Sequence, residues 1–381
     1  MDDPYLNTLI YAIVTVAFIL VGSLAVGALA RGVVRLRGGS NRLQQNTFAG
    51  YAFVSPWLIG FFLFVLAPML ASLYWSFTQF KPPDPPQWVA LQNYARVLAD
   101  KDFQASLVNT LFLTVIGLPL QILAALGLAL LLNARLRGEK MYRMAFYLPV
   151  ILGLNSAVLL SWRLMLNANN GLVNTIIRGL GHLFAPFNWA DRILIYINEV
   201  VSAFFLGIQS GGNFTLMNKI VAAGMPAAER VPLWLQSPLW TKTSIVLLMM
   251  WSCGTMMLIF LAALNNVPRE IYEAADVDGA NSWQRFRNVT LPLISPAMFY
   301  NLVVGTIATI QIFEQTYVLF RDTPTVGQSA YSVVYYLWRA TFRFNQMGYG
   351  SAISWILLLL LVFVTVIQFR LQGRWVQYDL K

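Results

Sequence analysis

The stretch from Glu270 to Pro296 decides how the rest of the chain is interpreted. It reads E-I-Y-E-A-A-D-V-D-G-A-N-S-W-Q-R-F-R-N-V-T-L-P-L-I-S-P and lies between two long apolar segments. A helix is expected at its start, because Asn266 can act as an N-cap and Pro268 suits the first helical turn. Gly279 then ends this helix. The stretch therefore predicts a short acidic helix followed by a glycine turn.

Apolar and aromatic side chains mark this charged stretch as a contact surface. Ile271 and Tyr272 belong to the first helix, and Ser282 can cap a second short helix that carries Trp283 and Phe286. Such groups in an otherwise charged loop usually contact a partner protein. The alternative is that the loop packs on its own helix bundle.

The composition is that of a membrane protein. Soluble domains are about 45–50% apolar and about 25% charged, whereas this 381-residue chain is 58% hydrophobic and 11% charged, with a mean hydropathy of +0.61. Seven apolar runs are long enough to cross about 30 Å of hydrocarbon as helices. They lie at about 8–30, 48–77, 105–132, 144–166, 243–264, 294–320 and 349–369. We expect the first to remain as an anchor, since Asp2 and Asp3 precede it where a secretory signal is basic.

The positions of lysine and arginine predict the orientation. Fourteen of them cluster in alternate loops, as Arg31, Arg35, Arg37 and Arg42, Arg135, Arg137, Lys140 and Arg143, Arg269, Arg285 and Arg287, and Arg370, Arg374 and Lys381. The other loops are longer in total and hold fewer lysine and arginine residues. The positive-inside bias therefore places the N-terminus outside and the C-terminus in the cytoplasm. The net charge of +10 fits this orientation better than a nucleic-acid partner.

Two further features bear on the topology. Apolar residues recur at three-and-four spacing over about 191–209, which predicts an amphipathic helix at the outer membrane interface rather than an eighth span. Prolines inside the spans predict kinks in a packed bundle, at Pro56, Pro68, Pro119 and Pro149.

Residues for catalysis are not evident. Cys253 and His182 are single and are expected to be structural. The chain has no phosphate-binding G-x-x-x-x-G-K-S/T and no paired metal ligands. We therefore expect no catalytic residue, no metal and no cofactor.

At this point a family resemblance can be stated. The stretch E-A-A-D-V-D-G-A-N-S-W-Q-R-F-R-N-V-T-L-P at 273–292 closely resembles the cytoplasmic EAA loop of permease subunits of binding-protein-dependent ABC importers. Other segments resemble the maltose-type sugar permeases, among them W-V-A-L-Q-N-Y-A-R-V-L at 88–98, R-G-E-K-M-Y-R-M-A-F-Y-L-P at 137–149, Q-I-F-E-Q-T-Y-V-L at 311–319 and M-G-Y-G-S-A-I-S at 347–354. Together the matches cover about 48–381.

The resemblance implies an architecture and a set of partners. The fold would be an all-α membrane bundle of six core transmembrane helices plus one N-terminal transmembrane helix. Residues 1–47 would form the anchor and a basic cytoplasmic linker, and 48–381 the permease domain, with an extracytoplasmic insert at about 184–230. The chain would lie in a prokaryotic inner membrane and would pair with a second permease, a dimer of ATP-binding cassette ATPases and an extracytoplasmic solute-binding protein. The cargo would be a sugar, and the chain itself would not be an enzyme.

The resemblance also assigns the opening stretch a role. In that family the EAA helix is a coupling helix seated in a groove of the ATPase. Carried over, the ATPase-coupling residues are Glu273, Ala274, Ala275, Asp276 and Gly279.

A candidate substrate pathway follows from the span at 294–320. Gln311, Glu314 and Gln315 are spaced to share one face of a single helix, and Phe313 and Tyr317 offer aromatic surface to a sugar ring. A carboxylate within a membrane span usually faces a cavity or a partner. A hydrogen-bonded cluster with the second permease is the equal alternative.

Two rival functions remain open from the sequence. The cargo of an ABC importer could be a polyol or glycerol phosphate. The chain could instead be an ion-coupled transporter or an intramembrane enzyme, although it lacks the mid-span charged residues that proton relays need.

Overall fold

A computed structural model describes residues 4–133, 141, 144, 152–153, 156–179, 234–236, 238–320, 329 and 331–377. Four helices in this part of the chain are long and apolar enough to cross a membrane. They are α1 (Pro4–Leu36), α2 (Asn41–Ser76), α4 (Lys101–Asn133) and α14 (Met347–Gln372). The predicted spans at 8–30, 48–77, 105–132 and 349–369 fall within these four helices.

Two bent helix pairs are also long and apolar enough to cross a membrane if each pair is counted as one span. Helices α7 (Pro238–Trp251) and α8 (Gly254–Asn265) meet at 43°, and α10 (Ser282–Leu293) and α11 (Ser295–Ile310) meet at 64°. The shorter elements are a hairpin of β1 (Thr78–Gln79) and β2 (Gln87–Trp88), and the helices α3 (Gln92–Ala99), α5 (Ser156–Met165), α6 (Leu172–Gly179), α9 (Arg269–Val277), α12 (Glu314–Phe320) and α13 (Val333–Trp338). The predicted span at 144–166 is described mainly as α5. The proposed amphipathic helix and the insert at 184–230 lie outside the described residues.

The prediction of one helix over 294–320 is wrong. Helix α11 ends at Ile310, and α12 begins at Glu314. The Ser332 hydroxyl donates to the Ile312 carbonyl at 2.6 Å and so occupies a carbonyl that a continuing helix would use. Helix α12 then packs against α5. Contacts with distant segments therefore overrule the local apolar pattern.

Three of the helix-interior prolines follow a turn of π-helix. Pro68, Pro119 and Pro292 each lie two residues after such a turn, which covers Phe62–Leu66, Leu113–Gly117 and Phe286–Thr290 respectively. Proline lacks an N–H and its ring crowds the carbonyl four residues earlier. In each case that carbonyl lies within the wider π turn, which makes room for the ring.

The core of the bundle forms around α4. Its side chains Leu118 and Leu132 are buried together with Met257 and Phe260 of α8. Helix α11 crosses α4 closely at Gly305, where an added Cβ would lie 2.4 Å from Leu118 Cδ1. Helix α1 packs along α2, and most of its apolar side chains remain exposed, as expected for a surface that faces lipid.

A carboxylate joins three elements at the start of α4. Asp100 accepts hydrogen bonds from the backbone N–H groups of Asp102 and Phe103, and so caps this helix. It also accepts from Tyr336 Oη of α13 at 2.6 Å and from Tyr349 Oη of α14. Burial raises the pKa of Asp100, but these hydrogen bonds outweigh it and the net pKa is lowered.

Candidate functional site

The opening stretch folds into two helices, but the capping residues differ from those expected. Asn266 ends α8 rather than starting α9, and Pro268 occupies the N-cap position. Asn281, not Ser282, caps α10, because its side chain accepts from the Gln284 N–H while the Gln284 side chain accepts from the Asn281 N–H. This capping box satisfies two backbone donors reciprocally, which a serine one residue later could not do.

Gly279 forms the turn as predicted. Its φ is +74°, a left-handed conformation that costs other residues energy. The Gly279 N–H donates to Asp276 O at 3.1 Å, and the Ala280 N–H donates to Ala275 O at 2.9 Å. This pair of bonds is a Schellman motif, which closes the end of α9 and directs the chain into α10.

The inner side of α9 is fixed to the bundle. Tyr272 and Phe286 pack against the main core, and Tyr272 Oη lies 3.1 Å from Thr290 Oγ1. Asp276 forms an ion pair with Arg285 of α10 at 2.6 Å. The two helices are therefore held together as one unit and joined to the ends of α8 and α11.

The opposite side of α9 is open. Glu273 and Ala274 are exposed, Val277 is 88% exposed and Trp283 of α10 is 65% exposed, whereas Ala275 is half-buried. We call the four residues Glu273, Ala274, Val277 and Trp283 the open face. The five coupling residues thus divide into two that contribute to this face and three, Ala275, Asp276 and Gly279, that shape or hold it. Val277 was missed by sequence reasoning, although its spacing of three and four from Ala274 and Glu273 would have indicated it.

The predicted pathway residues do not share one helical face. Gln311 is exposed in the break after α11, whereas Glu314 and Gln315 are half-buried in the first turn of α12. Glu314 Oε1 accepts a hydrogen bond from Ser156 Oγ of α5 at 3.0 Å. Phe313 and Tyr317 do come together, as stacked rings 5.4 Å apart.

These two rings belong to a larger group that sequence reasoning missed. Tyr335 stacks on Trp338 with 9° between the rings, and Tyr317 meets Trp338 edge-on at 4.9 Å. Tyr331 lies 5.3 Å from Tyr335. We call these five residues, Phe313, Tyr317, Tyr331, Tyr335 and Trp338, the aromatic cluster. The spacing of the last three places them on one helical face, a signal present in the sequence.

Hydrogen bonds fix the segment that carries the second half of the cluster. The Asn109 side chain donates to the Tyr331 carbonyl at 3.0 Å, and the Val333 N–H donates to Thr110 Oγ1 at 3.0 Å. The aromatic cluster therefore lies between α4, α12 and α13. Phe313, Tyr317, Tyr331 and Trp338 are only partly buried, so their rings remain accessible.

Comparison with known proteins decides the family. A model of the binding-protein-dependent transport system inner membrane component matches residues 97–377, which is most of the chain. The chain belongs to this family. It is accordingly a multi-pass membrane permease of the ABC importer type, with an all-α fold, and it is a transport component.

The permease is similar to several curated proteins along nearly its whole length. It is 35% identical to the probable ABC transporter permease protein YesP of Bacillus subtilis, over 90% of this chain and 96% of that protein. It is 30% identical to the arabinooligosaccharides transport system permease protein AraP of the same organism, over 88% and 92% of the two chains. It is 29% identical to the trehalose/maltose transport system permease protein MalF of Thermococcus litoralis, over 84% and 91%.

Solved structures support the same fold. A bacterial ABC transporter involved in the import of the acidic polysaccharide alginate matches with a TM-score of 0.63 at 20% identity, over 87% of this chain and 96% of that one. The same values apply to the bacterial alginate ABC transporter in complex with a periplasmic protein bound to an alginate pentasaccharide.

Proposed function

We propose that this permease forms half of the translocation pathway for a sugar or oligosaccharide and that the open face docks a separate ATPase. A second permease would complete the pathway, two copies of the ATPase would hydrolyse ATP, and an extracytoplasmic binding protein would deliver the solute. ATP-driven closure of the ATPases would move α9 and α10 as one unit, and the spans joined to them would follow.

The observation that carries this proposal is the division of α9 into a fixed side and an open side. Tyr272 ties the helix to the bundle and Asp276 ties it to α10, while Glu273 and Val277 remain exposed. A helix that merely packed on its own bundle would not leave Val277 and Trp283 in water, because exposed large apolar groups in a charged setting usually mark a partner site. The rigid attachment allows force on the open face to reach α8 and α11.

A saccharide is the favoured cargo for two reasons. The curated relatives with a named cargo include permeases for arabinooligosaccharides, lactose and trehalose/maltose, and also one for sulfoquinovosyl glycerol. The aromatic cluster presents ring faces of the kind that pack against the apolar faces of sugars. A polyol or glycerol phosphate is the alternative, and a panel of solutes in an uptake assay would separate these.

The predicted orientation places the open face in the cytoplasm, with the N-terminus outside and the C-terminus inside. Labelling can test this directly, because Cys253 is the only cysteine in the chain and is buried. In a Cys253→Ser background, single cysteines would replace the exposed Asp84 or Asp278. A membrane-impermeant maleimide applied to intact cells, or to spheroplasts if an outer membrane is present, should label position 84 and not position 278. Labelling of position 278 alone would overturn the orientation and with it the docking of the ATPase.

The complex itself is tested by co-purification. Affinity purification of the permease from its native membrane should recover a second permease and an ATPase, and proteoliposomes of the complex should accumulate a saccharide only with ATP and the binding protein. A homo-oligomer that transports with an ion gradient alone would favour the ion-coupled transporter instead.

A further inference from the structure

Arg339 has an unusual environment beside the aromatic cluster. Its guanidinium carbon lies 4.4 Å from the centre of the Tyr331 ring and 5.4 Å from the centre of the Phe344 ring. The side chain is half-buried, and its Nε is covered and has no hydrogen-bond partner. A partly buried cation that contacts only aromatic rings is weakly stabilised compared with one that is paired with an anion.

Two carboxylates near this end of the bundle are already engaged. Asp100 is bound by Tyr336 and Tyr349, and Glu314 accepts from Ser156. Among the described residues, none forms an ion pair or side-chain hydrogen bond with Arg339. Among these residues Arg339 thus lacks a counter-charge, which a bound anion would supply.

The local field is positive. Arg343 follows Arg339 in the π turn that extends α13 and is exposed. Burial raises the pKa of the Tyr335 hydroxyl, and the charges of Arg339 and Arg343 act against that rise, which places both cations close to the aromatic cluster. An anion bound at this point would gain from both.

The remaining donors of Arg339 suit a carboxylate. A guanidinium carries five N–H donors in a planar fork, and with Nε covered the two terminal nitrogens can still bind both oxygens of one carboxylate. Trp338, the residue before Arg339, is only partly buried and offers ring surface. A cyclic molecule could pack on that ring while its carboxylate meets Arg339.

We propose that Arg339 and the aromatic cluster form a subsite for a uronic acid unit, so that the permease carries acidic rather than neutral saccharides. This inference rests on the proposed saccharide transport and deepens it. A neutral sugar would stack on the same rings but would leave the guanidinium without a counter-charge. Charge-assisted hydrogen bonds contribute enough to make binding of the acid about ten- to a hundredfold tighter than that of an uncharged analogue.

Binding to the purified, assembled importer in nanodiscs tests the subsite without transport. The probes are linear trimers of galacturonate, mannuronate and glucuronate, each compared with its methyl ester, which keeps the rings and removes the charge. The quenching of tryptophan fluorescence reports binding, and Trp338→Phe identifies the contribution of Trp338. At least one acid should bind ten- to a hundredfold tighter than its ester.

Variants of Arg339 and Arg343 distinguish a specific contact with Arg339 from general attraction by nearby positive charge. Arg339→Gln should abolish the preference for the acid over the ester, and Arg339→Lys should retain part of it, because lysine keeps the charge but not the planar fork. Arg343→Gln is the matched control and should retain most of the preference. Gel filtration confirms that each complex stays assembled.

Several results would overturn the subsite. The subsite is rejected if the unaltered permease binds acid and ester equally, or if it binds no acid trimer saturably. It is also rejected if the Arg339→Gln complex loses the second permease, since the counter-charge would then belong to that subunit. ATP-dependent uptake of neutral saccharides that Arg339→Gln leaves unchanged would keep the proposed function and reject the subsite. Preference for the acid without any ATP-dependent uptake would keep the subsite and reject the proposed function.

Discussion

Asp276 of α9 and Arg285 of α10 form an ion pair with 2.6 Å between Oδ1 and Nη1. The pair joins the last turn of α9 to the first turn of α10 across the Gly279 turn. Asp276 therefore holds the unit together, and its carboxylate is engaged, whereas that of Glu273 is left for the proposed ATPase contact.

Arg285→Gln is expected to weaken coupling without unfolding the permease. Exposed ion pairs contribute roughly 0.2–1 kcal/mol. The equilibrium between the paired and separated arrangements of α9 and α10 should therefore shift towards the separated one by up to about fivefold. Stimulation of the ATPase by the loaded binding protein should fall by a similar factor, while the thermal midpoint of the complex changes little. The double variant Asp276→Arg with Arg285→Asp should recover part of the loss. If the double variant is worse than both single variants, the pair does not act through its mutual attraction.

Glu273→Ala is expected to weaken ATPase binding. Truncation of an interface hot spot costs more than about 1 kcal/mol, which corresponds to about fivefold or more in the dissociation constant of the ATPase from the permease in nanodiscs. Folding should be unaffected, because Glu273 is exposed and surface changes usually stay within about 0.5 kcal/mol. Asp84→Ala removes an equally exposed charge between β1 and β2 and should leave ATPase binding unchanged. Equal effects of the two variants would exclude a specific role for Glu273.

Gly279→Ala is expected to strain the turn through the backbone alone. An added Cβ would meet no atom within 4 Å, but the φ of +74° costs a non-glycine residue about 1–2 kcal/mol. Gly279→Asn should be milder and Gly279→Val more severe, since asparagine tolerates this conformation and a β-branched residue does not. ATP-dependent uptake should therefore fall least in Gly279→Asn, more in Gly279→Ala and most in Gly279→Val. Gly32→Ala, near the C-terminal end of α1 and with equal free space, should be neutral. An undiminished Gly279→Val variant would show that the turn is not needed.

Asp100→Asn is expected to lower stability in a pH-dependent way. The variant loses charge-assisted hydrogen bonds from Tyr336 and Tyr349 and part of the helix cap, about 1–3 kcal/mol in total. The folded-state pKa of Asp100 lies below its ordinary value of 3.8, so its contribution is present above about pH 3.8 and is lost as the pH falls through the folded-state pKa.

Thermal unfolding in detergent from pH 8 to pH 3 checks this expectation. The difference in thermal midpoint between the original permease and Asp100→Asn should be constant down to about pH 4 and should shrink below that pH. Tyr336→Phe removes one donor and should produce a smaller difference with the same pH dependence. A difference that grows below pH 4 would mean that the carboxylate is destabilised in the folded state.

The sequence alone determined the features that depend on neighbours along the chain. The length of the apolar runs predicted most of the spans, and the residues around Gly279 predicted the helix–turn–helix, because caps, turns and helical periodicity are set within a few residues. The two sides of α9 were not separated, since Tyr272 was expected to contact a partner but packs on the core, and the exposed Val277 was missed. The exact caps were missed, since Asn281 and Ser282 are both suitable and only the pairing with Gln284 decides between them.

Tertiary structure alone decided the contacts between distant segments. The break at 311–313 depends on the Ser332 hydroxyl, and the place of Glu314 depends on Ser156, which is 158 residues away along the chain. The sharing of Asp100 by Tyr336 and Tyr349 joins residues separated by 236 and 249 positions. A sequence pattern specifies which side chains need a partner, but the partner is fixed only when helices pack. For the same reason, only the folded chain shows that Arg339 lies between two aromatic rings without a paired carboxylate among the described residues.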